Sequence, residues 1–206
     1  MRHRKRGRVL GRSPSHRKAM FRNLAMGLIL TEREVTDLDP NPPKVKGRVI
    51  TTMAKAKEVR PLVEKCITTA KKCLAAERIA AEFGTDAERD SSEWKSWRES
   101  DRYAKWVTAR GPAVAARRKL FQTLRSKEAV SILCDDLAER FEDRPGGYTR
   151  IMRLATPRLG DAGERAILEF VGKNDRVVKK SEKPDFGGNA DDSSANAESP
   201  AEATED

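Results

Sequence analysis

The apolar positions of this 206-residue chain fall into runs of two kinds, one repeating every three to four residues and one every two. Met20, Phe21, Leu24, Ala25 and Leu28 keep the helical spacing, which predicts a first helix from about Ser15 to Leu30 with Arg17, Arg22 and Asn23 on its other faces. Pro40, Pro42 and Pro43 follow within four positions and forbid helix and strand alike. Arg48 to Thr52 then reads as a short strand. The strongest pattern comes next: Val59, Leu62, Val63, Cys66, Ile67, Ala70, Cys73 and Leu74 hold the helical period, while Lys55, Lys57, Lys65, Lys71 and Lys72 fall off that stripe. Pro61 leaves two readings, a helix from Met53 that kinks, or a new helix that opens with Pro61 at its first position.

Residues 75 to 111 are dense in both charges and hold Trp94, Trp97, Trp106 and Tyr103. They predict one exposed helix with an aromatic edge that packs on the domain or a neighbour, or stacks on bases. Gly111-Pro112 closes that segment, and helices are expected at Ala113 to Leu124 and at Lys127 to Glu142. Asp143-Arg144-Pro145-Gly146-Gly147 supplies a turn. Tyr148 to Ala155 and Arg165 to Val171 flank a loop at Pro157 to Gly163 and read as an antiparallel hairpin. The order helix, strand, helices, β-hairpin predicts an α+β fold, a two-layer α/β domain with helices covering one small sheet.

Charge divides the ends from the middle. The first 31 residues contain nine Lys and Arg and no Asp or Glu, with Arg outnumbering Lys seven to two. Such a segment has too little apolar surface to fold on itself and needs a polyanion to order it, and guanidinium suits RNA phosphates and bases. A solvated basic tail or an Arg-rich transit peptide would share the composition. The last 22 residues, Asp185 to Asp206, carry seven acids and no base, so the net charge of +10 hides a value of +17 over residues 1 to 184. A field of that size draws nucleic acid or, as the weaker choice, an anionic membrane surface. Three regions result: a basic arm at 1–14, a single globular domain at 15–173 and a disordered acidic tail at 174–206.

Candidate chemistry is sparse. Cys66, Cys73 and Cys134 each fall on the apolar stripe of a predicted helix and are expected as buried hydrophobes. The only histidines, His3 and His16, stand in the basic arm with no cysteine nearby, so no metal site is expected. Asp135-Asp136 is the most tempting acidic pair, but adjacent helical residues point about 100° apart and do not converge on a metal or a proton. No catalytic triad, nucleotide loop or metalloprotease string is present. The chain is therefore read as a non-enzyme with no cofactor and no small-molecule substrate. No apolar run approaches the length of a membrane span, so no membrane insertion is expected.

Four strings carry a resemblance: Met1-Arg2-His3-Arg4-Lys5, then Ser15-His16-Arg17-Lys18-Ala19-Met20-Phe21-Arg22-Asn23-Leu24-Ala25, then Ile50-Thr51-Thr52 followed by Lys55-Ala56-Lys57-Glu58, and above all Gly146-Gly147-Tyr148-Thr149-Arg150. In this order they resemble the bacterial large-subunit ribosomal protein family called L-seventeen, over residues 1 to 36, 48 to 74 and 113 to 173. The resemblance implies a cytoplasmic, ribosome-bound structural protein that binds large-subunit ribosomal RNA near the peptide exit region, beside neighbouring ribosomal proteins, with the arm threaded into the RNA. It implies RNA-facing roles for Arg2, His3, Arg4, Lys5, Arg8, His16, Arg17, Arg22, Asn23, Lys55, Lys57, Tyr148, Thr149 and Arg150. Arg6 and Arg12 join them on the charge of the arm. Tyr148 serves equally well as a sheet-packing aromatic. The stretches at about 37–47 and 75–111 and the acidic tail depart from the family pattern and look like insertions. The competing reading is a free-standing nucleic-acid-binding regulator or nucleoid protein, which should carry a helix-turn-helix or RNP aromatics; the sequence has neither.

Overall fold

A computed structural model describes residues 7–35, 39–172 and 175, all within one compact unit that ends at Asp175. The first four Lys and Arg of the arm, with His3 between them, and the acidic tail lie outside the described residues. Helix α1 (Pro14–Leu30) opens with proline in its first turn, where the missing N–H costs nothing. Strand β1 (Arg48–Thr52) runs directly into α2 (Met53–Ala81), a 29-residue helix that passes through Pro61. Of the two readings of Pro61 the continuous helix is the one found. Pro61 sits on the exposed side, where water can satisfy the carbonyl that loses its partner.

Helix α2 is the spine. Ala56, Val59, Val63, Cys66, Ile67, Ala70 and Cys73 are all buried along one side of it, and α1, α4 and the sheet pack there. All three cysteines are buried and unbridged. Burial pushes the Cys66 thiol up to about 11 and, with Cys73 close by, the Cys134 thiol up to about 12.

Strand β2 (Thr149–Arg153) and β3 (Arg165–Phe170) form the expected hairpin, and β1 pairs with the other edge of β3, giving an antiparallel sheet of order β1-β3-β2. The register aligns Val49, Leu168 and Ile151 on the face that meets the helices, and Arg48, Glu169 and Arg150 on the face that does not. In the hairpin loop the Arg158 guanidinium and the Gly163 N–H hold the Asp161 carboxyl well below the usual carboxylate range.

The segment between α2 and the hairpin differs from expectation. Residues 75–111 are shared among the last turns of α2, a short α3 (Ser92–Glu99) and the first half of α4 (Asp101–Leu124). Gly111-Pro112 does not end a helix; α4 runs through it. Its N-terminal partner turn returns along α2, with Arg102 donating to Glu82 O and Cys73 Sγ 3.6 Å from Ala113 O, so the two helices are antiparallel. Burial of Ala113, Leu120 and Leu124 offsets the roughly 3 kcal/mol that an internal proline costs. The aromatic residues pack mainly on one another: Trp97 meets Tyr103 and Trp106 edge-on at 5.1 and 5.5 Å, and its Nε1 donates to Phe83 O at 3.0 Å. None of the tryptophans enters the core, although Ala76 and Ala80 at the base of the segment are buried.

Helix α5 (Lys127–Ile132), capped by Ser126, continues through a π-helical turn (Leu133–Leu137) into α6 (Ala138–Arg140), in place of one regular helix. This run brings Leu133, Leu137 and Phe141 onto α2. The Phe141 ring lies 5.2 Å from that of Tyr148 and 6.3 Å from that of Phe170, joining the helical layer to the sheet. Phe141→Ala should lower stability by about 3–5 kcal/mol, because the hole cannot close between three packed elements. Urea unfolding reads this as a lower midpoint at unchanged slope; a midpoint like that of the parent would place Phe141 outside the cooperative core.

Candidate nucleic-acid interface

The end of the arm is folded back rather than trailing. Val9 O accepts from Arg12 N at 3.2 Å, and the two residues between them, Leu10 and Gly11, have φ of 56° and 61°. Two positive values in a four-residue turn define the mirror-image type I′, which glycine adopts freely and leucine does not. Arg8 pairs with Glu58 on the first turns of α2 at 2.9 Å. The described end of the arm therefore meets α2 next to Lys55, half-buried, and Lys57, exposed.

The turn delivers the chain to α1 in an unusual state. Ser13, the capping residue, accepts from no N–H of the helix with its side chain, which meets only the Ser15 hydroxyl at 3.5 Å, and the first turn contains no acid. His16 and Lys18 are exposed there, Arg17 is half-buried with one weak contact to Val9 O at 3.5 Å, and Arg12 donates to Leu10 O at 3.0 Å. Among the described residues no carboxylate pairs with Arg12, His16, Arg17 or Lys18. A helix N-terminus carries a partial positive charge, so clustered cations there repel both it and one another until an anion arrives.

The remaining expected site residues separate into three groups. Arg22 donates its Nε to Thr123 O at 3.0 Å and ties α1 to the end of α4, whereas Asn23 is exposed. Tyr148 and Thr149 are each 2 % exposed and face inward. Glu64 on α2 accepts from Tyr148 N at 3.1 Å, Thr149 N at 2.9 Å and Thr149 Oγ1 at 2.6 Å, and Lys71 donates to Arg144 O at 2.7 Å. Of the two readings of Tyr148, sheet packing is the one this geometry carries. Arg150 points the other way, half exposed, paired with Glu169 and with Asp175 at 3.2 Å. These carboxylates hold its guanidinium above the ordinary arginine range.

Strand register also assembles a surface that the sequence reading did not single out. Arg48 pairs with Glu169 at 3.4 Å, so the outer sheet face carries an Arg–Glu–Arg row across three strands. The next row is Ile50, Ile167 and Met152, with Ile50 59 % exposed. Alternation in β1 placed Arg48 and Ile50 on one face, but their neighbours depend on the pairing of β1 with β3. Arg2, His3, Arg4, Lys5 and Arg6 lie outside the described residues. Among the described residues there is no group of His, Cys, Asp and Glu fit to hold a metal, and no helix is long and apolar enough to cross a membrane.

The result is a small α+β domain that buries its motif tyrosine, pairs its sheet-edge arginines with carboxylates and leaves cations round one helix N-terminus. Comparison with known proteins gives it a family. The model of the family described as Ribosomal protein L17 matches residues 20–171, running through both stretches that depart from the family strings. The large ribosomal subunit protein bL17 of Rhodopirellula baltica is 58 % identical over 206 residues, covering the whole of this chain and 98 % of that protein. Proteins of the same name from Halothermothrix orenii and Chlorobium limicola are each 36 % identical, over 80 % and 89 % of this chain and 96 % and 93 % of their own lengths. The chain belongs to the ribosomal protein L17 family.

The Glu64 carboxylate fixes where the Gly146–Arg150 motif sits. Glu64→Ala should cost about 3 kcal/mol, since the partly buried donors it serves lose a charged acceptor, and Glu64→Gln about half as much. Thermal unfolding with amide exchange at Thr149 checks this. Unchanged exchange in the Ala variant would show that water replaces the carboxylate at no cost.

Proposed function

We propose that this chain is a structural protein of the large ribosomal subunit, binding large-subunit rRNA through its basic arm, the first turn of α1 and the start of α2. The observation that carries the proposal is the α1 N-terminus, where Arg12, His16, Arg17 and Lys18 cluster without an acid or a side-chain cap. A phosphate placed there accepts from the first-turn N–H groups and neutralises the cluster at once. Arg2, His3, Arg4, Lys5, Arg6 and Arg8 extend this track toward the N-terminus. Lys57 and Asn23 are exposed and remain part of the proposed surface, as does the guanidinium of Arg150, half exposed although it is paired with Glu169 and Asp175. Tyr148 and Thr149 serve it indirectly, by holding the strand that carries Arg150.

The role is that of a scaffold rather than a catalyst, exercised in the cytoplasm on the ribosome. The relatives' shared name supports the assignment to the large subunit, and the family resemblance supports a seat near the peptide exit region, next to other ribosomal proteins. A high-magnesium sucrose gradient of a cell extract is the test. The chain should sediment with the large subunit at ribosomal abundance, and its affinity for isolated large-subunit RNA should fall about a thousandfold between roughly 50 and 200 mM salt. Recovery at the top of the gradient or with DNA would favour the free-standing regulator instead.

A further inference from the structure

Helix α4 has two apolar faces, and only one is used. Ala113, Leu120 and Leu124 are buried in the core. About 100° round the helix, Val107, Val114 and Phe121 form a second stripe at intervals of seven residues, and they are 46 %, 36 % and 44 % exposed. A surface helix needs one apolar stripe to join its domain; a second, solvated one has no role in holding this fold. The stripe spans about 21 Å, the length of a four-turn helix.

The stripe also lies in a shaped depression. Arg125 ends α4 in the left-handed conformation at φ 59° and Ser126 caps α5 at once, so α5 starts beside the last turns of α4. Between them is a depression of about 690 Å³, floored by Val114, Phe121 and Val130 and rimmed by Arg118, Arg125 and Lys127. A second depression of about 470 Å³ continues it along α4 past Val107, Trp106 and Arg110. No carboxylate lines either one.

We propose that this groove docks an amphipathic helix of another protein, one that lays aliphatic side chains on the Val107–Val114–Phe121 stripe and carries acidic residues along its flanks. An apolar floor with a charged rim of one sign is the pattern of helix-in-groove recognition, where apolar anchors give affinity and flanking charges give register. RNA fits the rim but not the floor, since its backbone would leave Val107 and Val114 in water and, with the Trp106 ring stacked on Tyr103 and covered by Arg110, Phe121 is the ring left open for stacking. A second copy of this chain fits the floor but not the rim, because two-fold pairing sets the same cations against each other. The inference concerns a face distinct in its residues from the proposed RNA track and does not depend on that reading.

The test uses the full chain in solution and follows its methyl and aromatic NMR signals. The probe is an 18-residue helical peptide with Leu at alternating three- and four-residue spacing and Glu on both flanks; its counterpart carries Lys in place of Glu. The Glu peptide should bind saturably and shift Val107, Val114 and Phe121, and the Lys peptide should not. Phe121→Ser and Val114→Asn should each weaken the Glu peptide about tenfold while leaving thermal unfolding unchanged. Reversing the rim with Arg118→Glu and Arg125→Glu should exchange the preference between the two peptides. Equal binding of both peptides, no saturable binding, or insensitivity to Phe121→Ser overturns the proposal. So does occupation of the same methyls by an RNA hairpin, or a shift of these signals with protein concentration alone, which would assign the groove to RNA or to a second copy.

Discussion

The packing of the whole domain rests on one side of α2. Its buried residues are small or of middle size, with alanine at 56 and 70 and cysteine at 66 and 73, so neighbouring backbones come close. The first half of the helix faces the sheet and the second half faces α4 and the π-turn. One carboxylate connects the two layers: Glu64 leaves α2 and takes three hydrogen bonds at the point where β2 begins. A helix 29 residues long, about 43 Å, thereby sets the distance between the sheet edge and the far end of α4.

Ion pairs sort the cations into two populations. Arg117 with Glu77 and Asp135, Arg140 with Glu32, and Arg150 with Glu169 and Asp175 fasten distant parts of the chain together, and Arg33 with Asp39 closes the loop after α1 on itself. Arg117, half-buried between two carboxylates, is held above its usual range by them and has no charge to spare. The cations at the start of α1 do nothing of this kind for the fold. Their like charges oppose the helix dipole, and that unfavourable arrangement is the physical ground of the proposal that they meet an external polyanion.

Local chemistry was readable in the sequence where one rule acted alone. Arg48–Thr52, bounded by Gly47 and the helix that follows, was expected and found with the same limits, and α1 begins within a residue of the expected start. Reading broke down where packing overrode propensity. Pro112 marked a boundary by its missing N–H, yet Ala113 and Leu120 packed on the core hold α4 together across it. The π-turn at Leu133–Leu137 has the same apolar spacing as a regular helix and left no signal. In the candidate site, the run of cations and the absence of acids were visible directly. That Tyr148 and Thr149 face inward was not, because their orientation depends on Glu64, 84 and 85 residues away in sequence.

The account separates folding from binding along the chain, and deletion of residues 2–12 measures that separation most directly. Among the described residues the deletion removes one ion pair, Arg8 with Glu58, and little buried apolar surface, since Val9 is exposed and Leu10 only half-buried. Thermal unfolding should therefore shift by less than about 1 kcal/mol in stability. Affinity for large-subunit RNA at moderate salt should fall by about a thousandfold, the scale set by the loss of roughly six phosphate contacts. A truncated chain that binds that RNA, and enters large subunits, as well as the full chain would contradict the account.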